Sequence, residues 1–304
     1  MSTFLEKITK IKLIARLINL SKKIVIPGFE GLPLYDVAVF FFKGIQKGAI
    51  TTRASSVSFS FFLALFPTII FLFTLIPYIP IKDFQDQLMD LLKEFMPKSA
   101  FEATESTLEE IIKQQHGSLL SFGFISALYF STNGVHALID AFNQSYHVIE
   151  TRSYFKQRLA AISLVIIQTL LMIIATTLIV VTEILLDKFI PEGHFESYLI
   201  VAGRSIIILA MLFSTISFTY YLGPANKKGW KFMTAGSTFA TILIIITSLG
   251  FAFYVNNFGQ YNKLYGSIGT LIVVLLWIYF NSIIMLLGFE LNASIHSASK
   301  KDNT

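Results

Sequence analysis

Cysteine is absent from this chain of 304 residues, and charged residues make up only 14% of it. The absence of cysteine excludes disulfides, thiol catalysis and thiolate metal sites. A soluble domain of ordinary composition carries about 25% charged residues. The shortage of charge is accompanied by 54% hydrophobic residues, among them 30 phenylalanines, and by a mean hydropathy of +0.66. This composition is typical of a protein that crosses a membrane several times.

Six apolar segments are each longer than the about 20 residues that a helix needs to cross a bilayer. They lack the alternating polarity of barrel strands, and backbone groups in lipid must bond within their own segment, so helices are predicted. The sequence therefore predicts an all-α polytopic membrane protein with a transmembrane domain over residues 53–296. The predicted spans are residues 54–77, 118–141, 159–186, 199–222, 233–256 and 267–295.

Three further segments flank or connect the spans. We expect residues 1–52 to form cytoplasmic amphipathic helices, because residues 4–26 place apolar side chains on one helical face among basic ones, as interfacial helices do. The alternative is a solvated arm that packs on the helix bundle. Residues 78–117 are too long for a bare connection and are expected to form an outer cap of short helices. Residues 297–304 are predicted to be a cytoplasmic tail.

Lysine and arginine are distributed unevenly between the two sides that six spans define. One side holds 17 basic residues and the other holds six. The richer side comprises residues 1–53, 142–158, 223–232 and the tail, and the poorer side comprises residues 78–118, 187–198 and 257–266. Because basic residues are retained on the cytoplasmic side, this bias predicts that both termini are cytoplasmic.

Polar residues are concentrated at the end of the second predicted span. Asn133, His136, Asp140, Asn143 and His147 are three or four residues apart, so they share one helical face. Such a face is expected to point inward, where it either lines an aqueous cavity or forms a polar seam between helices. The His–Asp spacing also suits a metal or proton site. No third ligand lies nearby in the sequence, so neither a metal nor another cofactor is expected.

Charged residues within the spans are expected to find partners, because an isolated charge is costly in hydrocarbon. Arg53 begins the first span, and Asp140 and Glu290 end the second and sixth spans on the same side. We therefore expect Arg53 to pair with Asp140 or with Glu290; the alternative is that Arg53 only anchors to lipid phosphate. Glu183 and Arg204 lie at similar depth near the outer face and are predicted to form an outer ion pair.

Two other features of the spans suggest movement or access. Pro67 lies in the middle of the first span, where it removes a backbone hydrogen bond and predicts a kink. The segment after the fifth span is polar and aromatic, and Asn256, Tyr261 and Asn262 are expected to face outward there. Tyr261, Asn262 and Tyr265 form either an outer gate or a re-entrant segment; the alternative is an ordinary hairpin anchored by an aromatic belt.

Three separated blocks, in the right order, resemble the YihY family, also called the virulence factor BrkB family. They are "RASSVSFSFFLALFPTIIFL" (53–72), "STNGVHALIDAFNQSYHV" with "RSYFKQRL" (131–159), and the segment 256–293, which begins "NNFGQYNKLYGSIGT". The resemblance implies a six-span protein of the bacterial inner membrane, without a settled activity. In the second block the family commonly has arginine at the position of Asn133.

The function suggested by the sequence is transport rather than catalysis. The family has carried a ribonuclease name, but the five histidines are scattered, and no nucleophile elbow or Walker loop occurs, so neither an enzyme nor a nucleic-acid partner is expected. We expect a transporter or a lipid- or solute-translocation protein without its own nucleotide site. The residues expected at its cytoplasmic mouth are Arg53, Asp140, Asn143 and Glu290. The alternative is a structural or scaffolding envelope protein that recruits protein partners and transports nothing.

Overall fold

The computed structural model describes residues 19–79, 84–95, 98–145, 152–189, 194–225, 231–257 and 267–302. Within these ranges the chain is almost entirely helical, and the one pairing of extended residues is an isolated bridge between Val25 and Pro33. The helices are α1 (Leu34–Lys47), α2 (Ile50–Leu75), α3 (Phe84–Phe95), α4 (Lys98–Lys113), α5 (Gly117–Asn143), α6 (Tyr154–Phe189), α7 (His194–Leu222), α8 (Ala235–Asn257) and α9 (Ser267–Asp302).

The predicted all-α polytopic fold is confirmed. Six helices of the described part are long and apolar enough to cross a membrane. These segments are Ile50–Tyr78, Gly117–Asn143, Tyr154–Thr182, Tyr198–Leu222, Ala235–Val255 and Leu271–Ser299. α6 extends past both ends of the predicted span 159–186, and α9 continues to Asp302, so most of the predicted tail is helical. Most of the predicted N-terminal interfacial helix lies outside the described residues.

Large apolar side chains are exposed along the spans, as a hydrocarbon environment allows. On α8, for example, Leu249 is 68% exposed, Phe253 67% and Ile246 58%. A continuous apolar surface of this kind is rare on a monomer that folds in water. The hydrophobic spans therefore present their side chains to lipid.

The chain divides into two compact units. The first comprises residues 1–58 and 135–304, and the second comprises residues 59–134. In the first unit α6 packs on α7, α8 packs on both α7 and α9, and α1 packs on α9. The residues that join α1 to α9 include buried Phe29, Leu32 and Val37, which contact Ile295 and Ala298 of α9.

Small residues bring α8 and α9 close together. A Cβ atom at Gly288 would lie 2.8 Å from both the Cβ of Ala240 and the carbonyl oxygen of Gly236, so only glycine fits there. Polar contacts add to this packing, because the amide N–H of Gly236 donates to Asn292 Oδ1 (2.8 Å) and Asn292 Nδ2 donates to Thr234 Oγ1 (2.9 Å). In membrane proteins, close packing and interhelical hydrogen bonds of this kind replace the hydrophobic drive that water would supply.

The second unit contains most of α2, the paired helices α3 and α4, and most of α5. α5 approaches α2 closely at Gly123, where a Cβ atom would lie 3.2 Å from the backbone of Phe71. α2 continues without interruption through Pro67. α3 and α4 contact each other, and Lys113 of α4 forms exposed ion pairs with Asp86 (3.1 Å) and Glu109 (3.0 Å).

Candidate functional site

The candidate site is a buried pair of opposite charges in the first unit. Arg53, in the first turn of α2, is 5% exposed, and Glu290 of α9 is fully buried. Arg53 Nη2 lies 3.8 Å from Glu290 Oε2. Both residues belong to segments that are apolar enough to span a membrane. The pairing of Arg53 with Glu290 that was expected from their shared side of the membrane is therefore present.

Two further groups complete what we name the ion-pair cluster: Arg53, Glu290, Ser145 and the carbonyl of Ala141. Arg53 Nη1 donates a hydrogen bond to the Ala141 carbonyl at 2.7 Å. This carbonyl belongs to the last turn of α5, where carbonyls lack intrahelical donors and carry partial negative charge. Ser145 Oγ donates to Glu290 Oε2 at 2.8 Å. The cluster therefore joins the start of α2, the end of α5 and the middle of α9.

Two glycines, Gly44 in α1 and Gly48 directly after it, lie against this cluster. A Cβ atom at Gly44 would collide with the Glu290 carboxylate, and one at Gly48 would lie 2.6 Å from Arg53 Nη2. α1 and α2 are joined by a sharp turn in which Ala49 adopts the left-handed conformation (φ 44°). The absence of side chains at Gly44 and Gly48 thus allows the α1 backbone to lie directly against the two charges.

An aromatic group adjoins the cluster. Phe142 and Phe289, the sequence neighbours of Ala141 and Glu290, stack with ring centroids 4.3 Å apart. Tyr220 of α7 packs edge-on against Phe142, with 5.6 Å between ring centroids, and its hydroxyl donates to the Met285 carbonyl at 2.7 Å. All three aromatic residues are buried, so apolar side chains rather than water border the ion pair on this side.

Charges buried in this way are strongly coupled to one another. Desolvation of two ions costs several kcal/mol each, and their mutual attraction offsets this cost only if hydrogen bonds satisfy the remaining atoms. The Ala141 carbonyl and the Ser145 hydroxyl each supply one such bond, whereas the buried Nε of Arg53 has no hydrogen-bond partner among the residues that the structure describes. Loss of either charged partner therefore leaves the other charge uncompensated in a low-dielectric site.

The polar residues at the end of α5 have different environments. His136 is 8% exposed, and its Nδ1 lies 3.3 Å from Asp140 Oδ2, whereas the Asp140 side chain is 46% exposed. Asn133 and Asn143 are half-buried, and His147 lies outside the described residues. The stripe is thus not uniformly enclosed: His136 is buried, whereas Asp140 one turn later is half-exposed.

The remaining sequence-predicted residues are placed only in part. Arg204 of α7 is exposed, but the side chain of Glu183 lies outside the described part, so the outer ion pair stays a prediction. The side chain of Asn256 and all of Tyr261 and Asn262 also lie outside it. No group of three or more residues suited to holding a metal ion occurs among the described residues.

Sequence reasoning missed Ser145, Gly44 and Gly48, and it missed the acceptor role of the Ala141 carbonyl. One signal was available, because Gly44 and Gly48 are four residues apart on one face of an amphipathic helix. Spacing of this kind indicates close approach by another element. The sequence contained no signal for the partner of Ser145, since that contact joins residues that are distant along the chain.

Comparison with known proteins identifies relatives of this chain. Residues 41–304 match a family model described as Virulence factor BrkB. The Bacillus subtilis (strain 168) protein named "Putative ribonuclease-like protein YfkH" is 35% identical over 255 residues, which cover 82% of this chain and 91% of that protein.

Other relatives are longer proteins. UPF0761 membrane proteins of Stenotrophomonas maltophilia (strain K279a) and Nitrosospira multiformis are 26% and 25% identical, over 80% and 81% of this chain. The matched regions are 56% and 58% of those proteins, so the chain spans a little over half of their length. No solved structure matches the chain.

Proposed function

The chain belongs to the Virulence factor BrkB family of membrane proteins, and from that premise we propose that it translocates a lipid or small solute without a nucleotide site of its own. In this proposal the ion-pair cluster closes the path at its cytoplasmic end. Asp140 and Asn143, at the end of α5, form the mouth beside it. Transport is then passive, coupled to an ion or powered by a partner protein.

The buried Arg53–Glu290 pair is the observation that carries this proposal. A buried ion pair is weak support for stability, because apolar residues of similar volume often hold a core equally well or better. Ionisable residues within membrane spans are by default candidates for function. A pair that is charged and fully enclosed in one state can contact a polar substrate in another state, once its two helices separate.

α1 supports the same proposal as the element that moves. It lies directly against the charges at Gly44 and Gly48, and neither glycine has a side chain that holds it there. The turn at Gly48 and Ala49 provides a short joint between α1 and α2. Withdrawal of α1 exposes Glu290 and Arg53 to the cytoplasmic side, and its return closes the path.

The test is a flux assay on the full chain in proteoliposomes. Fluorescent phospholipid analogues report lipid translocation, and light scattering after an osmotic step reports anionic, cationic, zwitterionic and neutral solutes. The informative variant is Arg53→Met/Glu290→Leu, which replaces the ion pair by apolar groups. We expect wild-type protein to exceed empty liposomes for at least one substrate class, and the double variant to fall to the empty-liposome rate while remaining folded.

Lys156→Gln is the matched control, because it removes an exposed basic residue of α6 outside the cluster. It is expected to retain the wild-type rate. Translocation is contradicted if wild-type protein moves no class of lipid or solute. A role of the ion pair in it is contradicted if the double variant transports as fast as wild-type protein.

We further propose that the protein lies in the bacterial inner membrane with both termini in the cytoplasm, as the excess of basic residues on one side favours. The chain has no cysteine, so single cysteines report topology directly. In intact cells, a membrane-impermeant maleimide is expected to label Glu105→Cys on α4 and to label Lys156→Cys only after lysis. The reverse pattern contradicts this orientation.

The second candidate function is a scaffolding protein of the envelope, which the complete burial of Glu290 favours. A sealed polar cluster serves to lock helices together as well as to gate a path. Under this alternative the Arg53→Met/Glu290→Leu variant is fully functional in cells, and no flux occurs in liposomes. The proteoliposome assay therefore separates the two candidates.

A further inference from the structure

A second site is formed by a cavity of about 480 Å³ between residues 25–31, the start of α8 and the last turns of α9. Neither Arg53, Ser145 nor Glu290 lines it. Its volume is within the range of small-molecule sites, which is about 300–1,000 Å³. The cavity is therefore separate from the ion-pair cluster and is large enough for a ligand.

The walls of this cavity are held in place by the fold. Gly28 (φ 91°) and Gly31 (φ 85°) adopt the left-handed conformation that glycine accommodates, and Phe29 between them is buried in the apolar core. On the opposite wall, Asn292 binds both Thr234 and Gly236. The cavity is thus a preformed part of the first unit.

The charged groups on its rim determine which ligand it suits. Lys231 and Glu30 both line the cavity, and both are exposed. Neither forms an ion pair with any residue that the structure describes, and they do not pair with each other. An available cation and an available anion on one cavity match a ligand that carries both charges.

The start of α8 does not itself supply an anion site. The amide of Gly236 donates to Asn292, and the amide of Ser237 donates to Thr234 Oγ1 at 3.1 Å. Two of the donors that would otherwise bind an anion at this helix N-terminus are thus already used. Recognition of a charged ligand rests on the side chains of Lys231 and Glu30, with His296 as a further lining residue.

The surroundings of the cavity indicate an amphiphile. It lies where the apolar segments Ala235–Val255 and Leu271–Ser299 begin and end, which is the depth of lipid head groups. Apolar residues line it as well, and two of them are open to the surroundings: Met233 is 70% exposed and Val25 is 51% exposed. A ligand bound at the charged rim therefore has an apolar surface beside it for acyl chains.

We propose that this cavity binds the head group of a zwitterionic aminophospholipid. Lys231 contacts the phosphate, Glu30 contacts the primary ammonium, and Val25 and Met233 contact the acyl chains. The site is independent of translocation, because it requires only binding from the membrane and no movement of the ion-pair cluster. A protein that moves nothing across the bilayer still binds this lipid.

The test is native mass spectrometry of the full chain in detergent, titrated with phosphatidylethanolamine or with phosphatidylglycerol. The first lipid carries both charges, and the second carries the phosphate alone. Lys231→Gln is expected to weaken binding of both lipids about fivefold, as loss of one basic contact near a membrane surface does. Glu30→Gln is expected to weaken binding of phosphatidylethanolamine alone.

The control variants remove the same charges elsewhere. Lys156→Gln and Glu105→Gln alter exposed residues that do not line the cavity and are expected to bind both lipids as wild-type protein does. The site is overturned if Lys231→Gln binds like Lys156→Gln. The zwitterionic assignment is overturned if Glu30→Gln affects both lipids equally or neither of them. Free phosphoethanolamine is tested as a competitor of phosphatidylethanolamine. The assignment to a lipid is overturned if the free head group competes for the cavity as strongly as the lipid does.

Discussion

The two units contain ion pairs of opposite character. In the first unit the Arg53 and Glu290 side chains are 4% and 0% exposed, with 3.8 Å between charged atoms. In the second unit Lys113 and Asp86 are closer, at 3.1 Å, but their side chains are 40% and 68% exposed. Exposed pairs contribute little to stability, because water and salt screen them. The environment of a pair, rather than its distance, therefore decides how much its loss affects the protein.

The two ion pairs also differ in the helices that they hold together. The Lys113–Asp86 contact joins α3 to α4 in a hairpin whose polar residues already face water, and the Lys113–Glu109 contact lies within α4. The ion-pair cluster lies where water is excluded, and its hydrogen bonds join the start of α2, the end of α5 and α9. Changes to the buried pair are accordingly expected to affect the packing of three helices, and changes to the Lys113 pair only one hairpin.

The largest expected effect follows removal of one buried charge. Glu290→Leu leaves Arg53 buried without its counter-ion and is expected to lower the free energy of unfolding by about 3–5 kcal/mol. Arg53→Met/Glu290→Leu is expected to recover most of this loss, because no unpaired charge remains. Chemical unfolding in detergent micelles measures both. Equal destabilisation by Glu290→Leu and by the exposed change Lys113→Gln would show that burial does not distinguish the two pairs.

The next effect concerns the glycine that lies against the pair. Gly44→Ala places a methyl group onto the Glu290 carboxylate and is expected to cost about 1–3 kcal/mol, as overpacking does. Gly250→Ala on α8 is the matched control, because nothing lies within 4 Å of a Cβ atom there. The control is expected to stabilise its helix by up to about 1 kcal/mol. Thermal unfolding of the two variants should therefore shift in opposite directions, and equal shifts would contradict close packing of α1.

An effect of similar size is expected from loss of the hydroxyl that supports Glu290. Ser145→Ala removes a hydrogen bond to a buried carboxylate and is expected to cost about 1.5–3 kcal/mol. Ser55→Ala removes an exposed hydroxyl that donates to the Thr51 carbonyl of its own helix. The control is expected to change the unfolding free energy by less than about 0.5 kcal/mol. A neutral Ser145→Ala would show that Glu290 does not depend on this contact.

The smallest effect is expected in the exposed hairpin at high pH. Hydrogen bonds to Glu109 and Asp86, and attraction to Asp86, raise the pKa of Lys113 above its ordinary value of 10.5. The contribution of Lys113 to the hairpin is thus fully present below that ordinary value and is lost as pH rises through the raised pKa. Spin labels on Gln87→Cys and Glu105→Cys are expected to report a broader distance distribution as lysine deprotonates.

Lys113→Gln is the control for this titration, and its distance distribution is expected to be broad at every pH. Molar salt is expected to reproduce the broadening, because it screens exposed charges. The unfolding difference between wild-type protein and Glu290→Leu is expected to change little under the same salt. A salt response of equal size in both units would contradict the contrast between them.

Much of the fold was predictable because its signals are local. A run of apolar residues of membrane length specifies a helix wherever it is placed, since lipid offers the backbone no alternative partner. The same reasoning placed Arg53 and Glu290 on one side and predicted a partner for each, and this pairing is confirmed. It left Asp140 as an equal choice, because helix depth alone does not say which helices are neighbours.

The candidate site was less predictable because its other contacts are not local. Ser145 has no property in the sequence that separates it from other serines, and its role depends on α9 passing beside the end of α5. The carbonyl of Ala141 belongs to the backbone and is invisible to residue patterns. The cavity at Lys231 and Glu30 was missed for the same reason, since its walls come from three distant parts of the chain.

The sequence by itself determined that the chain folds in a lipid bilayer, that it is helical and how many spans it has. Each span is specified by its own hydropathy and length, independently of the others. Only the tertiary structure decided that Glu290 pairs with Arg53, that Gly44 lies against the carboxylate, and that Lys231 and Glu30 border one cavity. These choices depend on which helices pack together. Packing among apolar helices in lipid is set by shape and by a few polar contacts, neither of which a hydropathy pattern records.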